Sequence, residues 1–188
     1  MRLIHHIIIA TLFLTGLFAY EVGETLSMGH QNMEFDICYA PGEDPNNDGI
    51  FSFSEYNGDL NGGHYYVLLL DMSATWCGPC YSLVPSFDNV TTEWADNENV
   101  KVFVALSDLN QPYSCNAWGA AGSIGIPPIV DDGTINTIFN WFNNPNGSGI
   151  YPLIIFLDHT MEIVNIMGSS PSFNVSNIII EAMLDAIP

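Results

Sequence analysis

Apolar residues in this chain form short continuous runs separated by stretches with helical periodicity. Val67 to Met72 (VLLLDM) is apolar at every position but Asp71, the pattern of a strand buried on both faces. Within Tyr81–Trp94, the residues Leu83, Val84, Phe87, Val90 and Trp94 recur at helical spacing and predict a helix. Lys101–Leu106 (KVFVAL) predicts a second buried strand, Ser114–Ala121 a short helix, and Pro127–Gly133 an extended piece ending in a turn. Thr134–Phe142 has helical spacing in Ile135, Ile138, Phe139 and Phe142. Leu153–Leu157 (LIIFL) and Glu162–Met167 predict two more strands, joined by a turn at Asp158-His159-Thr160. Val175–Ile187 predicts a closing amphipathic helix with Ile178, Ile179, Met183 and Ile187 apolar. This order implies an α/β fold, a mixed central sheet covered on both faces.

The region from Tyr20 to Tyr66 is less regular and rich in Gly, Asn and Asp, with short strands predicted at Glu34–Tyr39 and Ile50–Ser54. It reads as an N-terminal extension of one domain spanning residues 20–188. Inside it, Asp44-Pro45-Asn46-Asn47-Asp48-Gly49-Ile50-Phe51-Ser52-Phe53-Ser54-Glu55 fits the calcium-loop pattern D-x-[DN]-x-[DN]-G-x5-E. Asp44, Asn46, Asp48 and Glu55 would supply side-chain oxygens and Ile50 a backbone carbonyl. The same residues also read as a hairpin, with Asn47-Asp48-Gly49 as the turn and Phe51 and Phe53 on one strand face. Helices flanking the loop are not indicated, because Gly42 precedes it and Asn57-Gly58 follow. Calcium is the metal of the first of these two readings.

Charge narrows the partners. Asp and Glu number 21 against only two cations, Arg2 and Lys101. Such a surface cannot neutralise phosphates, so nucleic acid is not an expected partner, and anionic membranes should repel it. Met1-Arg2 followed by the apolar run Ile7–Phe18 reads as an export signal, too short for an ordinary membrane span of about 20 residues. Cleavage is expected after Ala19, with retention of residues 1–19 as an anchor the alternative. Export places the chain outside the cytoplasm, periplasmic or secreted, where disulfides persist. His30, His64 and His159 are scattered without ligand spacing and read as surface or turn residues. Asn89, Asn146 and Asn174 begin formal glycosylation tripeptides.

The four cysteines are Cys38, Cys77, Cys80 and Cys115. Cys77 and Cys80 flank Gly78-Pro79 at the start of the predicted helix. Unpaired backbone N–H groups and the helix dipole favour a thiolate there, and such motifs lower a thiol pKa from about 8.5 to about 7. Cys80 lies one turn later on the same side and can resolve a mixed disulfide formed on Cys77. Pro79 fixes its own φ and lacks an N–H, which suits an early helical position. The dithiol is therefore both the chemistry and the only cofactor needed. For Cys38 and Cys115 three readings stay open: a structural disulfide, two unpaired thiols, or a relay through Cys115. Half of a zinc site is the competing reading of Cys77 and Cys80, but no second pair has matching spacing.

Leu69–Pro85 (LLDMSATWCGPCYSLVP) resembles the active-site strand, turn and helix of the thioredoxin superfamily. The resemblance implies a thioredoxin-like fold and thiol–disulfide oxidoreductase activity. It implies a helix-kinking role for Pro85 and a buried proton acceptor, Asp71, for the resolving cysteine. Tyr151-Pro152 is similar to the family's cis-proline beside the dithiol, so Trp76, Gly78, Pro79, Tyr151 and Pro152 are expected to contact substrate. The long N-terminal region and the insertion before Pro152 look like the exported redoxin, or TlpA-like, branch. Many of those proteins have Glu where this chain has Leu83, which leaves Asp71 to do that work. Gly78-Pro79 is the pair of reducing thioredoxins, with potentials near about −270 mV. Disulfide-containing protein substrates and a membrane electron donor follow as expected partners. A thiol peroxidase is the alternative enzyme, but the Pro and Thr expected seven and three residues before its cysteine are Leu70 and Ala74 before Cys77. A calcium-binding module on the same scaffold is the non-enzymatic alternative.

Overall fold

The computed structural model describes residues 19–40, 44–122 and 127–188. The expected export signal, up to Phe18, and Gly42 lie outside the described residues. In chain order the elements are α1 (Met28–Gln31), β1 (Phe35–Tyr39), β2 (Ile50–Phe51), β3 (Val67–Ala74), α2 (Gly78–Tyr81), α3 (Val84–Glu93), β4 (Val100–Ser107), α4 (Cys115–Gly119), β5 (Ile129–Gly133), β6 (Leu153–Leu157), β7 (Ile163–Met167) and α5 (Phe173–Leu184). Single 3-10 turns lie at Phe53–Glu55 and Phe139–Trp141.

The described strands form one sheet in the order β2-β1-β5-β4-β3-β6-β7. The central strand β3, buried along its whole length, runs parallel to β4 and antiparallel to β6. Its side chains alternate between two cores, as the pleat requires. Leu68, Leu70 and Met72 enter one core, with Phe51, Phe53, Tyr56, Phe139 and Trp141 covering it. Val67 and Leu69 enter the other, against Phe87 and Val90 of α3 and Ile180 and Met183 of α5. Asp71 falls in the register of this second, helix-covered face. The Trp94 indole N–H donates to Asn177 at 3.0 Å and ties α3 to α5.

The N-terminal region does more than extend the domain. β1 pairs antiparallel with β5 inside the central sheet, and the aromatic residues after β2 roof one face of it. Three local expectations change. The helix expected over Tyr81–Trp94 divides into α2 and α3, because Pro85 cannot donate to the Tyr81 carbonyl and its ring crowds that group. The helix expected over Thr134–Phe142 shrinks to a 3-10 turn. Asn136 stands at φ 54, outside right-handed helix space, and Asp132 takes up the N–H groups of Ile138 and Phe139. The strand expected over Ile50–Ser54 stops at Phe51, yet Phe51 and Phe53 still meet edge to face in the core at 4.8 Å. In α5 the buried stripe is Ser176, Ile180 and Met183, while Ile178 faces solvent.

Candidate active site

β3 ends at Ala74, whose carbonyl accepts the Cys77 N–H at 2.8 Å and turns the chain into α2. Cys77 is the N-cap of α2. Its backbone is extended, and its Sγ accepts the N–H of Cys80 at 3.2 Å. This is where helix geometry leaves donors free to stabilise a thiolate. Cys77 and Cys80 are joined in a disulfide, with their Cα atoms 5.3 Å apart. Cys80 is 1% exposed and Cys77 6%, so an incoming sulfur meets Cys77 first. Trp76, Gly78 and Pro79 line the exposed rim. A Cβ on Gly78 would meet nothing within 4 Å, so the rim is open above this position.

The Tyr151–Pro152 peptide bond is cis, as expected from the motif. Tyr151 connects it to the dithiol loop, its ring standing edge-on to Trp76 at 5.5 Å and packing on Phe139 at 4.2 Å. The Tyr151 hydroxyl donates to Ser107 Oγ at 3.2 Å, and Ser107 Oγ donates to Asp132 at 3.4 Å. Burial pushes the Tyr151 phenol up to about 12, so it remains a donor throughout the working pH range. A second cis bond, Gln111–Pro112, lies in the loop after β4.

Asp71 lies in β3 beneath the helix that follows Cys80. One carboxylate oxygen accepts the Ser73 hydroxyl at 3.0 Å, and the other is buried without a partner among the described residues. Burial pushes Asp71 up to about 7, and the Ser73 hydrogen bond opposes this only in part. Asp71 borders a cavity of about 10 Å³, room for about one water, walled by Val84, Phe87 and Trp118. The Trp118 indole N–H is also buried and has no hydrogen-bond partner among the described residues. A carboxyl group with these properties can hold or release a proton near neutrality.

Cys38 of β1 and Cys115 of α4 form a second disulfide across 77 residues, with Cα atoms 6.1 Å apart. Among the three readings of this pair, the structure is the bonded one. Both disulfides border one apolar cluster with Val84, Leu106, Trp118 and Ile129. A surface groove of about 710 Å³ passes His64, Tyr66, Trp94 and Lys101 and contains neither dithiol cysteine.

A sequence model of the thioredoxin family matches residues 51–122, a span running from β2 to just past α4. This stretch of the chain, which holds the dithiol, is similar to the thioredoxin family. A curated thioredoxin from Ophiophagus hannah is 30% identical over 47 residues, which are 25% of this chain and 45% of that protein. The match thus spans under half the length of that thioredoxin. Among solved structures, the fold is similar to a secreted thiol-disulfide isomerase from Corynebacterium glutamicum (TM-score 0.64, 13% identity, covering 89% of this chain and 98% of that one). It is also similar to a thioredoxin-family thiol:disulfide interchange protein from Chlorobium tepidum TLS (TM-score 0.55, 20% identity, 73% and 88%). A secreted disulfide oxidoreductase from Mycobacterium tuberculosis gives TM-score 0.58 at 11% identity, covering 83% and 99%. At these identities the structures bear on the thioredoxin fold alone.

The thioredoxin-like fold therefore brings Trp76, Cys77, Cys80, Tyr151 and Pro152 together, with Asp71 below them. Sequence reading missed Asp108, Ser107, Asp132 and Trp118. Asp108 stands at φ 56, a conformation Asp tolerates better than most residues, at the end of β4. In sequence it looks like an ordinary turn residue. His30 was also underrated: it stacks on Trp141 at 4.2 Å and bonds the Tyr20 hydroxyl at 2.9 Å, and burial lowers its pKa. The calcium candidates Asp44, Asn46, Asp48, Ile50 and Glu55 lie around β2, away from the dithiol: Asp44 is buried, Asn46 and Asp48 are exposed, and Ile50 and Glu55 are half-buried.

Proposed function

We propose that this protein reduces disulfides in protein substrates outside the cytoplasm, with Cys77 as nucleophile and Cys80 as resolving thiol. The observation that carries this reading is the position of Cys77, at the cap of α2, bonded to Cys80 and more exposed than it. In the reduced enzyme the Cys77 thiolate attacks one sulfur of a substrate disulfide. A bond forms between Cys77 Sγ and that sulfur, and the other substrate sulfur leaves as a thiolate. Cys80 loses its proton toward Asp71 and attacks Cys77 Sγ, releasing the second substrate thiolate. The Cys77–Cys80 disulfide is the oxidised end of this cycle, and a dithiol donor at the membrane must return two electrons to it.

Trp76, Gly78, Pro79, Tyr151 and Pro152 make the rim on which substrate backbone lies. The reducing direction is supported by Gly78-Pro79, the pair found in reducing thioredoxins near about −270 mV. An extracytoplasmic site is supported by a second disulfide, which reducing compartments disfavour. It is also supported by the apolar N-terminal run and by the secreted proteins of similar fold. Among the described residues no helix is long and apolar enough to cross a membrane.

The test uses Cys77→Ser and Cys80→Ser variants incubated with a disulfide-bonded protein. The Cys80→Ser variant is expected to accumulate a mixed disulfide through Cys77, and the Cys77→Ser variant is not. Trapping through Cys80 instead would overturn the roles. A measured dithiol potential well above that of reducing thioredoxins would overturn the direction.

A further inference from the structure

The segment Asp44–Glu55 holds two buried carboxylate oxygens without a hydrogen-bond partner among the described residues. Asp44 is 6% exposed; one of its oxygens accepts the Asp48 N–H at 2.9 Å, and Oδ1 is buried with no partner. Glu55 Oε2 is buried and unpartnered as well. Ionised carboxylates withdrawn from water require a compensating charge. The only lysine or arginine among the described residues, Lys101, sits over the Tyr66 ring instead. Two orphaned anionic oxygens on one loop, with no lysine or arginine among the described residues beside them, point to a cation from solution.

We propose that this loop binds one calcium ion. Asp44, Asn46 and Asp48 supply side-chain oxygens, Ile50 its carbonyl, and Glu55 both carboxylate oxygens. That makes six oxygens, with space in the coordination shell for water, within the range calcium takes. The chain path suits this set. Asn47 at φ 54 and Gly49 at φ 79 bend the loop back on itself, glycine standing where calcium loops need their sharp turn. The 3-10 turn Phe53–Glu55, which follows Ser52, carries Glu55 at the twelfth position of the pattern. As they stand, no three acidic, His or Cys side chains among the described residues converge tightly enough to hold an ion. Binding therefore closes the loop, with the Glu55 side chain rotating inward to chelate. Calcium fits such a flexible, carboxylate-rich loop, whereas magnesium demands a near-ideal octahedron. Because the loop joins β1 to β2, the ion would steady the strand that carries Cys38. This inference does not depend on the dithiol chemistry.

The test is calorimetric titration of the oxidised full chain, stripped of metal by chelator, with calcium chloride. Parallel thermal melts compare calcium with magnesium at matched ionic strength. One ion per chain is expected, with Kd of about 10⁻³ M or tighter, the affinity range of extracellular modules. The melting temperature should rise in calcium beyond its rise in magnesium. Glu55→Gln should weaken binding at least tenfold while dithiol activity is retained. If Glu55→Gln fails to fold, Asn46→Ala, at an exposed position, should also weaken binding. Equal shifts in calcium and magnesium, or equal calcium affinity in the variants, would mean only screening of an acidic surface and would overturn the proposal. So would the absence of heat and of any shift at about 10 mM calcium, ten times the weakest expected Kd.

Discussion

The indole N–H of Trp76 donates to the carboxylate of Asp108 at 2.7 Å, tying the loop before the dithiol to the loop after β4. The carbonyl of Asp108 also accepts the Thr75 hydroxyl, so one residue grips both positions that precede Cys77. Trp76 is 53% exposed and yet held on two sides, by Asp108 and by the ring of Tyr151.

Losing that grip should cost substrate binding more than chemistry. Asp108→Ala is expected to lower kcat/KM on a protein disulfide about fivefold, roughly 1 kcal/mol for one hydrogen bond. The loss should fall mainly on KM. Asp108→Asn keeps an acceptor and should lose less. Steady-state kinetics on a protein disulfide, beside a small aromatic disulfide that needs no rim, will separate the two effects.

Asp71 should make the oxidised protein less stable as pH rises. In the unfolded chain its carboxyl titrates near the ordinary 3.8, and in the fold burial lifts it to about 7. Between these values the folded state holds a proton that the unfolded state has lost, so stability is full below pH 4 and falls as pH rises toward 7. At about 1.4 kcal/mol per pH unit, the loss amounts to roughly 4 kcal/mol. Asp71→Asn removes this penalty. Its stability relative to the parent should improve by a few kcal/mol between pH 4 and pH 8, as read by urea unfolding of both proteins. Parallel stability curves would show that Asp71 does not titrate in this window.

The Cys38–Cys115 bond should resist conditions that open Cys77–Cys80. It closes a loop of 77 residues, for which the chain-entropy model gives about 4.5 kcal/mol of stabilisation. Thiol trapping and mass analysis at graded dithiothreitol should find Cys77 and Cys80 labelled first. A Cys38→Ser, Cys115→Ser double variant should unfold at lower urea by about that energy while keeping its active dithiol.

Asp132 is expected to be a structural hub. It is 2% exposed and accepts the N–H groups of Ile138 at 2.6 Å and Phe139 at 3.2 Å, and the Ser107 hydroxyl at 3.4 Å. Asp132→Ala strands two buried N–H groups and should cost about 2–4 kcal/mol. Since Ser107 also receives the Tyr151 hydroxyl, substrate KM should rise as the cis-proline loop loosens. Unchanged KM in a folded Asp132→Ala variant would show that the network does not reach the site.

The dithiol and the buried strand before it were legible in the residues themselves, while the kink at Pro85 and the cis bond at Pro152 came with the resemblance to thioredoxins. Each depends on neighbours in the chain: a continuous apolar run, a proline lacking its N–H, two thiols one helical turn apart. The calcium-loop spacing belongs to the same class. Tertiary structure decided what depends on distant partners. Cys38 met Cys115 only because β1 lies against β5, a pairing that the irregular composition of residues 20–66 did not announce. Thr134–Phe142 had helical spacing, yet the Asp132 carboxylate and the left-handed Asn136 cut it to a single turn. Asp108 and Trp76 are 32 residues apart, and no local pattern marks either as the other's partner. Periodicity records which face of an element is apolar; the partner each polar group finds is settled only when the sheet brings the loops at its ends together.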